Sequence, residues 1–189
     1  MKTRLPLLAF GIAMAVLQVL AAAQTPAAAP KPTPEHKRLG YFVGKWTTEG
    51  EVQASPMGPA GKMTGTETCE WFSGNFAVVC RSEGKSPAGP MKTLGIMSYS
   101  TEEKVYTYYG LDNSAMTMAS VPKGTRSADG TWTYNDEGVM GGQKFKSRVT
   151  VKELSPTEYT FKMELQGSDG KWTPLMEAKS TKVVAKKTT

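Results

Sequence analysis

Short runs of alternating apolar and polar residues follow one another from Gly44-Lys45-Trp46 to Val183, and this pattern constrains the fold more than any other feature. Turn sequences such as Gly74-Asn75 and Asp169-Gly170 separate the runs. Alternation with a period of two is typical of antiparallel strands with one solvated face. We therefore predict an all-β fold, a single antiparallel up-and-down barrel of about ten strands. The predicted strands lie near residues 45–54, 62–72, 76–84, 92–99, 104–111, 116–122, 131–136, 144–154, 158–166 and 172–183.

Two of the predicted strands indicate which side chains face inward. Every second residue is apolar in Tyr159–Leu165, and Phe145–Val151 repeats the alternation with Ser147 on the inner side. The apolar side chains predicted to point inward are Phe145, Val149, Val151, Tyr159, Phe161, Met163 and Leu165. The runs near Val105–Leu111 and Met116–Val121 do not alternate clearly, so the pattern assigns them no lumen side.

A short helix is predicted just before the first strand, between Pro34 and Gly44. Proline at the start and glycine past the end are typical helix boundaries. Leu39, Phe42 and Val43 can share one face of this helix. We expect the helix to cap one end of the barrel.

Residues 1–23 have the pattern of a secretory signal peptide. Lys2 and Arg4 precede an apolar stretch from Leu5 to Leu20, and the small residues Ala21–Ala23 follow. The stretch of about 16 apolar residues is shorter than the roughly 20 that cross a bilayer. We expect cleavage after Ala23, a periplasmic or secreted protein, and no stable membrane span after cleavage.

The rest of the chain is predicted to be one domain with two extensions. Residues 24–34 contain four prolines and no large apolar side chain, which is typical of a flexible tether. Residues 35–184 are predicted to form the barrel domain, which is long enough to bury one core. Residues 185–189 form a basic tail.

The charge distribution argues against nucleic-acid binding. The formal net charge of the whole chain is +6, and it falls when Lys2 and Arg4 are removed with the signal. Basic residues alternate along 144–152 instead of forming a cluster with stacking aromatic residues. Such alternation is typical of the solvated face of a strand.

The two cysteines, Cys69 and Cys80, are predicted to form a disulfide, because export favours oxidation. A two-residue loop at Gly74-Asn75 would set Ser73 opposite Phe76 and Cys69 opposite Cys80. Directly opposed strand residues lie within bridging distance. By this count the cysteines occupy a hydrogen-bonded pair of the ladder. The alternative, a redox-active pair, requires closer spacing near a helix start, and the structural interpretation is favoured.

The sequence contains no recognisable catalytic constellation. His36 is the only histidine, and its position in the capping segment predicts a solvated helix residue, not a catalytic base or one ligand of a histidine-rich metal site. The neighbouring carboxylates Glu102-Glu103 and Asp136-Glu137 fall in predicted turns, and adjacent residues of a strand point to opposite faces, so neither pair can flank a glycosidic bond. Met116 and Met118 would share one face and could hold Cu(I), although methionine more often fills apolar space.

Several segments of the chain, in a fixed order, carry a resemblance to a known family: Leu39–Glu51, Trp71–Phe76, Leu94–Tyr99, Tyr109–Asn113 with Met116, and Asp169–Lys171 followed by Met176-Glu177. With these residues placed, the chain resembles the bacterial DUF1579 family, within the wider lipocalin-like or calycin group. The resemblance implies about ten antiparallel strands around a cavity with a short helix at one end, and it implies no established activity. Cys69 and Cys80 are an addition to the family pattern. The similar nitrobindin-like barrels bind haem through a histidine late in the chain, which this sequence lacks, so no cofactor is expected.

We expect a barrel that binds a small, largely apolar ligand in its lumen without catalysis. One alternative is a structural barrel with a self-filled core that contacts envelope proteins. A third is Cu(I) binding, or an isomerase-like or cyclase-like enzyme that uses Tyr108, Asp112 or Glu70 in a dry cavity. The residues predicted to line the lumen are Trp46, Tyr108, Asp112, Met116, Met118, Phe145, Ser147, Val149, Phe161 and Met163.

Overall fold

A computed structural model describes residues 29–55, 58–113, 121–140, 143–167 and 169–184. The chain divides into two compact units, Met1–Pro30 and Lys31–Thr189, and nearly all described residues belong to the second. The predicted signal peptide, most of the tether, Met116, Met118 and the basic tail lie outside the described residues. Among the described helices, none has the length and apolar character needed to cross a bilayer.

Ten antiparallel strands form a closed barrel, which confirms the predicted fold class. Each strand pairs with the next one along the chain, and β1 pairs with β10 to complete the ring. The strands are β1 Gly44–Val52, β2 Gly61–Trp71, β3 Ala77–Ser86, β4 Gly89–Ser100, β5 Val105–Asp112, β6 Lys123–Arg126, β7 Thr131–Met140, β8 Gln143–Ser155, β9 Glu158–Gln166 and β10 Trp172–Lys182.

Most of the segment predicted as the sixth strand, residues 116–120 of 116–122, lies outside the described residues. Its last two residues, Val121 and Pro122, are described and precede β6. Pro122 has no N–H to donate to a ladder, although its carbonyl accepts a hydrogen bond from the Tyr108 N–H at 3.2 Å. Within the described residues, β6 pairs with β5 from Lys123, which lies opposite Thr107.

The predicted capping helix is present as α1, Pro34–Arg38, which continues into a 3-10 helix at Leu39–Tyr41. Thr33 caps its first turn through hydrogen bonds with His36, including a contact of 2.9 Å between Thr33 Oγ1 and His36 Nδ1. The prediction that His36 is solvated was wrong. Its ring is buried and stands edge-on to Phe76 and Tyr99, because the helix lies across the barrel end instead of projecting into water.

Aromatic side chains fill the barrel beneath α1, and we call this part of the lumen the closed end. Phe42 stacks edge-on against Trp132 at 5.2 Å, and Trp46 against Tyr159 at 4.9 Å, between ring centroids. The Trp46 Nε1–H donates to the Phe42 carbonyl at 2.7 Å. Gly44 has a φ of +129°, a conformation that favours glycine, and it turns the chain from the 3-10 helix into β1.

Cys69 and Cys80 form the predicted disulfide between β2 and β3, directly opposite each other. The predicted type of pair was wrong. The Phe72 N–H donates to the Ala77 carbonyl, so the hydrogen-bonded pairs alternate outward from 72 and 77, and the cysteines fall on a non-hydrogen-bonded pair. Their Cα atoms lie 4.0 Å apart, as expected for the narrower type of pair. The loop is longer than two residues, which shifts the alternation by one.

Candidate functional site

The lumen differs between the closed end and the part opposite α1, which we call the far half. Strand register places the inward side chains of the far half in rows that continue those of the closed end, for example Val149 opposite Met163 and Val52 opposite Met176. These side chains are apolar and only partly buried, whereas those of the closed end are almost fully buried. The inward apolar residues of the far half include Val52, Met63, Met91, Phe145, Met163, Leu165 and Met176.

Glu67 carries a carboxyl group on the inward face of β2, at the level of Trp46. It lies on β2, opposite Trp46 of β1 and Ser82 of β3, and it shares the inward face with Cys69 two residues later. Burial raises the pKa of Glu67, and neither a cation nor a hydrogen bond from the described residues acts against this effect. The carboxyl oxygen and the two sulfurs of the disulfide lie within 4.8 Å of one another. Because the sulfurs are bonded to each other, these three atoms do not form a thiolate metal site.

The ring of Tyr108, on β5, lies against the inner wall of the barrel. It lies over two glycines, and a Cβ atom at Gly95 would stand 2.9 Å from the Tyr108 hydroxyl oxygen. A Cβ atom at Gly110 would meet the same ring at 3.0 Å. Any larger residue at Gly95 would therefore push this ring out of its place. Burial, followed by the charges of Glu67 and Asp112, raises the pKa of Tyr108 to about 12, so its hydroxyl keeps its proton.

Tyr134 of β7 has a buried hydroxyl group without a hydrogen-bond partner among the described residues. The residue is 7% exposed, and its ring centroid lies 6.4 Å from that of Tyr108. Burial, followed by the neighbouring Tyr106 and Tyr108, raises the pKa of Tyr134, so this hydroxyl also stays protonated. We call Glu67, Tyr108 and Tyr134 the Glu67 cluster.

The structure brings together several of the residues predicted to line the lumen. Phe145, Val149, Phe161 and Met163 are partly buried and lie on the inward rows of β8 and β9, as their alternation predicted. Ser147, on the same row of β8, is 3% exposed and lies opposite Asp136 and Leu165.

The other predicted lining residues occupy different places. Trp46 is 1% exposed and belongs to the closed end, where it packs among aromatic rings. Asp112 is exposed at the last position of β5. Of the residues considered for an enzyme, Glu70 is exposed on the outer face of β2 and Tyr108 lies in the lumen. Met116 and Met118 lie outside the described residues.

Sequence reasoning missed Glu67 and Tyr134. The spacing of Glu67 could have identified it. Glu67, Cys69 and Trp71 share one face of the strand, so a disulfide that faces inward implies that Glu67 also faces inward. Tyr134 follows Trp132 by two residues, and both are buried on the inward face of β7. Their proximity to Tyr108 depends on strands that are distant in sequence.

The outer wall carries a groove of about 530 Å³ near β6 to β10. Lys123, Glu137, Lys146 and Trp172 border it, and the inward-row residue Ser147 reaches its edge.

Next to this groove, an ion pair joins β8 to β9. The Arg148 guanidinium lies 4.4 Å from the centroid of the Trp172 ring and 2.7 Å from Glu164 Oε2. Burial alone would raise the pKa of Glu164, but hydrogen bonds from Lys162 and Arg148 hold it below its ordinary value. The carboxylate is thus satisfied within the wall and serves packing.

Comparisons with known proteins agree with the barrel. The family model described as protein of unknown function (DUF1579) matches residues 31–182. No curated protein sequence matches the chain. The protein Rv2717c of M. tuberculosis is similar in structure, with a TM-score of 0.57 at 10% identity over 80% of this chain and 99% of its own. The S-type phycobiliprotein lyase CPES of Guillardia theta has a TM-score of 0.52 at 13% identity, over 80% of this chain and 94% of its own. At these identities the likeness shows the fold alone.

Proposed function

The chain belongs to the DUF1579 family of proteins of unknown function, and from that premise we propose that it binds a small, largely apolar molecule in the far half of its barrel without transforming it. The observation that carries this proposal is the change in burial along the lumen. The closed end is filled by the protein's own aromatic rings, whereas the inward apolar side chains of the far half stay partly exposed. Apolar surface that faces a barrel interior and is not covered by the protein favours a ligand.

The type of residue in the far half supports an adaptable apolar site. Met63, Met91, Met163 and Met176 have flexible thioether side chains, which can adjust to ligands of different shape. A ring of ten strands is also wider than the eight-stranded barrels whose interior is just filled by side chains. Binding pockets of this kind are mostly apolar with a few polar groups that orient the ligand.

We further propose that the protein works in the periplasm or outside the cell. The signal pattern of residues 1–23 supports export. The disulfide between Cys69 and Cys80 is consistent with an oxidising compartment. The proposed export is tested by expressing the full chain and sequencing the N-terminus of the product recovered from the envelope and the medium. A product retained in the cytoplasm with an intact N-terminus would contradict it.

The ligand proposal is tested with the protein purified from cells that express the full chain. Native mass spectrometry should detect a copurified small molecule, and a panel of fatty acids, quinones and haem should change tryptophan fluorescence for at least one compound. Absence of both a copurified molecule and any fluorescence change would contradict the proposal.

Two matched variants locate the site. Met63 and Thr64 are neighbours on β2 that point to opposite sides of the wall. Met63→Trp adds bulk to the far half and should weaken binding at least tenfold in calorimetric titrations, whereas Thr64→Trp adds the same side chain outside and should leave the affinity unchanged. Equal effects of the two variants would show that binding takes place elsewhere.

A second candidate function is contact with envelope proteins through the outer wall. The groove bordered by Lys123, Glu137, Lys146 and Trp172 favours it, because it combines an aromatic side chain with charged groups of both signs on the barrel exterior. Chemical crosslinking in intact cells followed by mass spectrometry should then identify one reproducible partner, and Trp172→Ala should abolish that crosslink. If no crosslink depends on Trp172, this candidate is excluded.

A further inference from the structure

We infer that Glu67, Tyr108 and Tyr134 bind the polar end of the ligand, and that this polar end is a neutral hydrogen-bond acceptor such as the carbonyl oxygen of a ketone, an ester or a quinone. The inference rests on the proposed function, since it concerns a ligand in the lumen. It adds the chemical class of the ligand and the residues that recognise it.

The first observation is the unpartnered hydroxyl of Tyr134. A buried polar group without a hydrogen bond is unfavourable, and native proteins retain few of them. The Tyr134 hydroxyl is buried at the inward face of β7, close to the Tyr108 ring. A ligand oxygen that reached this hydroxyl would accept the hydrogen bond that the protein itself does not provide.

The second observation is the position and environment of Glu67. Its carboxyl group points into the lumen from β2 and forms no ion pair with the described residues. Burial shifts this carboxyl toward protonation relative to an exposed glutamate, and its protonated form has an O–H that can donate. Glu67 and Tyr134 approach from different strands, and Tyr108 lies close enough to interact electrostatically with both.

The third observation is that two glycines of the wall leave space for the Tyr108 ring. Gly95 and Gly110 leave space that a Cβ atom would occupy, and the ring fills it. The ring therefore lies against the wall, over Gly95 and Gly110. Tyr108 is the group that connects the other two members of the cluster.

The charges around the cluster favour a neutral acceptor over an anion. The inward basic side chains of the closed end have other partners: Arg126 pairs with Glu153 at 2.7 Å, and the Lys182 amine lies 4.7 Å from the centroid of the Trp46 ring. A ligand anion would therefore lack a cation beside the Glu67 cluster. Asp112 also acts electrostatically on Tyr108, so the test below includes a cationic probe. The O–H donors of Tyr108 and Tyr134, and of Glu67 when it is protonated, suit a neutral oxygen acceptor.

Three probes of equal chain length test the inference: 2-undecanone, undecane and undecylamine. Their affinities are measured by competition with a polarity-sensitive dye bound in the lumen. We expect 2-undecanone to bind about tenfold more tightly than undecane, the difference that one or two buried hydrogen bonds provide. Tyr134→Phe and Glu67→Met should each remove most of that preference while leaving the affinity for undecane unchanged.

Two further variants separate recognition from a general structural effect. Glu67→Gln keeps an N–H donor at the same place and should retain the preference for the ketone. Glu70→Met, on the exposed face of the same strand, should have no effect on any probe.

The outcomes distinguish this inference from the proposed function. If 2-undecanone and undecane bind equally, the inference is wrong and the proposed lumen site stands. If undecylamine binds most tightly and Glu67→Gln abolishes its binding, the cluster recognises a cation and the inference is wrong. If neither the dye nor any of the three probes binds to the protein, the proposed function fails as well.

Discussion

At the scale of single residues, two tyrosines differ in how their hydroxyl groups are satisfied. The Tyr41 hydroxyl donates toward the carbonyls of Ser155 and Glu158, at 2.9 and 2.7 Å. The Tyr134 hydroxyl has no partner among the described residues, although it is buried. One hydroxyl therefore stabilises the fold, and the other is unfavourable in the ligand-free protein.

We expect phenylalanine substitutions to change stability in opposite directions at these two positions. Tyr134→Phe removes an unsatisfied group and should raise the free energy of unfolding by about 1 kcal/mol, whereas Tyr41→Phe removes a hydrogen bond and should lower it by about 1 kcal/mol. Urea denaturation of both variants measures the difference. A decrease of equal size in both would show that the Tyr134 hydroxyl is satisfied in solution.

Glu67 should make stability depend on pH in an unusual direction for a carboxyl group. Its pKa is raised in the folded protein above the ordinary value of 4.5. The folded state therefore holds this proton more tightly than the unfolded state, and the contribution to stability is complete below pH 4.5 and is lost as pH rises through the folded pKa.

The corresponding variant is Glu67→Gln, which cannot ionise. It should be more stable than the original protein at pH 8, and the difference should shrink toward zero at pH 4. Glu70→Gln serves as the control, because Glu70 is exposed on the other face of β2. Denaturation curves at several pH values would contradict the prediction if the Glu67→Gln and Glu70→Gln variants behaved alike.

At the scale of elements, β6 is the shortest strand and depends on a side-chain contact for its place. Its four residues pair with only two residues of β5. Arg126 on β6 forms two hydrogen bonds with Glu153 on β8, at 2.9 and 2.7 Å, across the intervening β7. The Trp132 Nε1–H of β7 donates to the same carboxylate at 2.7 Å. This contact joins three strands at the closed end.

Glu153→Gln should destabilise the barrel by about 3 kcal/mol, because it leaves the largely buried Arg126 without its counter-charge. Burial acts to raise the pKa of Glu153, but the hydrogen bonds from Arg126 and Trp132 outweigh it, and the pKa is lowered. The contribution of the pair is thus present above pH 4.5 and is lost as pH falls through the folded pKa.

A matched control for this pair is the exposed contact between Lys92 and Glu83 on the barrel surface. Glu83→Gln should change the unfolding free energy by less than about 1 kcal/mol, since exposed ion pairs contribute little. Urea denaturation at pH 7 compares the two variants, and hydrogen exchange of β6 amides should accelerate only in Glu153→Gln. If β6 amides exchange at the same rate in both, the contact does not hold this strand.

The strands also show which features could be predicted from short segments of the sequence. Alternation predicted the inward rows of β8 and β9, and counting from the turn predicted which cysteines face each other. The same count assigned the wrong type of ladder pair, because the hydrogen bond that closes the loop joins Phe72 to Ala77 instead of Ser73 to Phe76. The position of the turn alone decides which residues face each other. The conformation of the turn decides which of these facing pairs are hydrogen-bonded.

At the scale of the whole molecule, the barrel has two ends with different roles. The short helix and the 3-10 turn place Leu39 and Phe42 over the closed end, and Leu39 is completely buried. The far half lies on the other side of the Glu67 cluster. Stability and ligand binding are therefore expected to depend on different parts of one lumen.

Leu39→Ala tests this separation. Loss of a completely buried leucine should lower the free energy of unfolding by about 2–4 kcal/mol. Ligand affinity measured under conditions where the variant stays folded should be unchanged. Val184→Ala, at a position that is 68% exposed, is the control for stability. A loss of affinity in Leu39→Ala that equals its loss of stability would show that the two ends act together.

The sequence by itself determined the barrel, the inward faces of its clearest strands, the capping helix and the disulfide. These features follow from local rules, since strand period, turn residues and helix boundaries are read within about ten residues. Only the tertiary structure decided that His36 is buried, that Tyr108 lies near Tyr134 and that Glu67 acts electrostatically on Tyr108. The three residues of the cluster come from β2, β5 and β7, and their proximity is set by closure of the ring and by the stagger between its strands, which no short segment encodes.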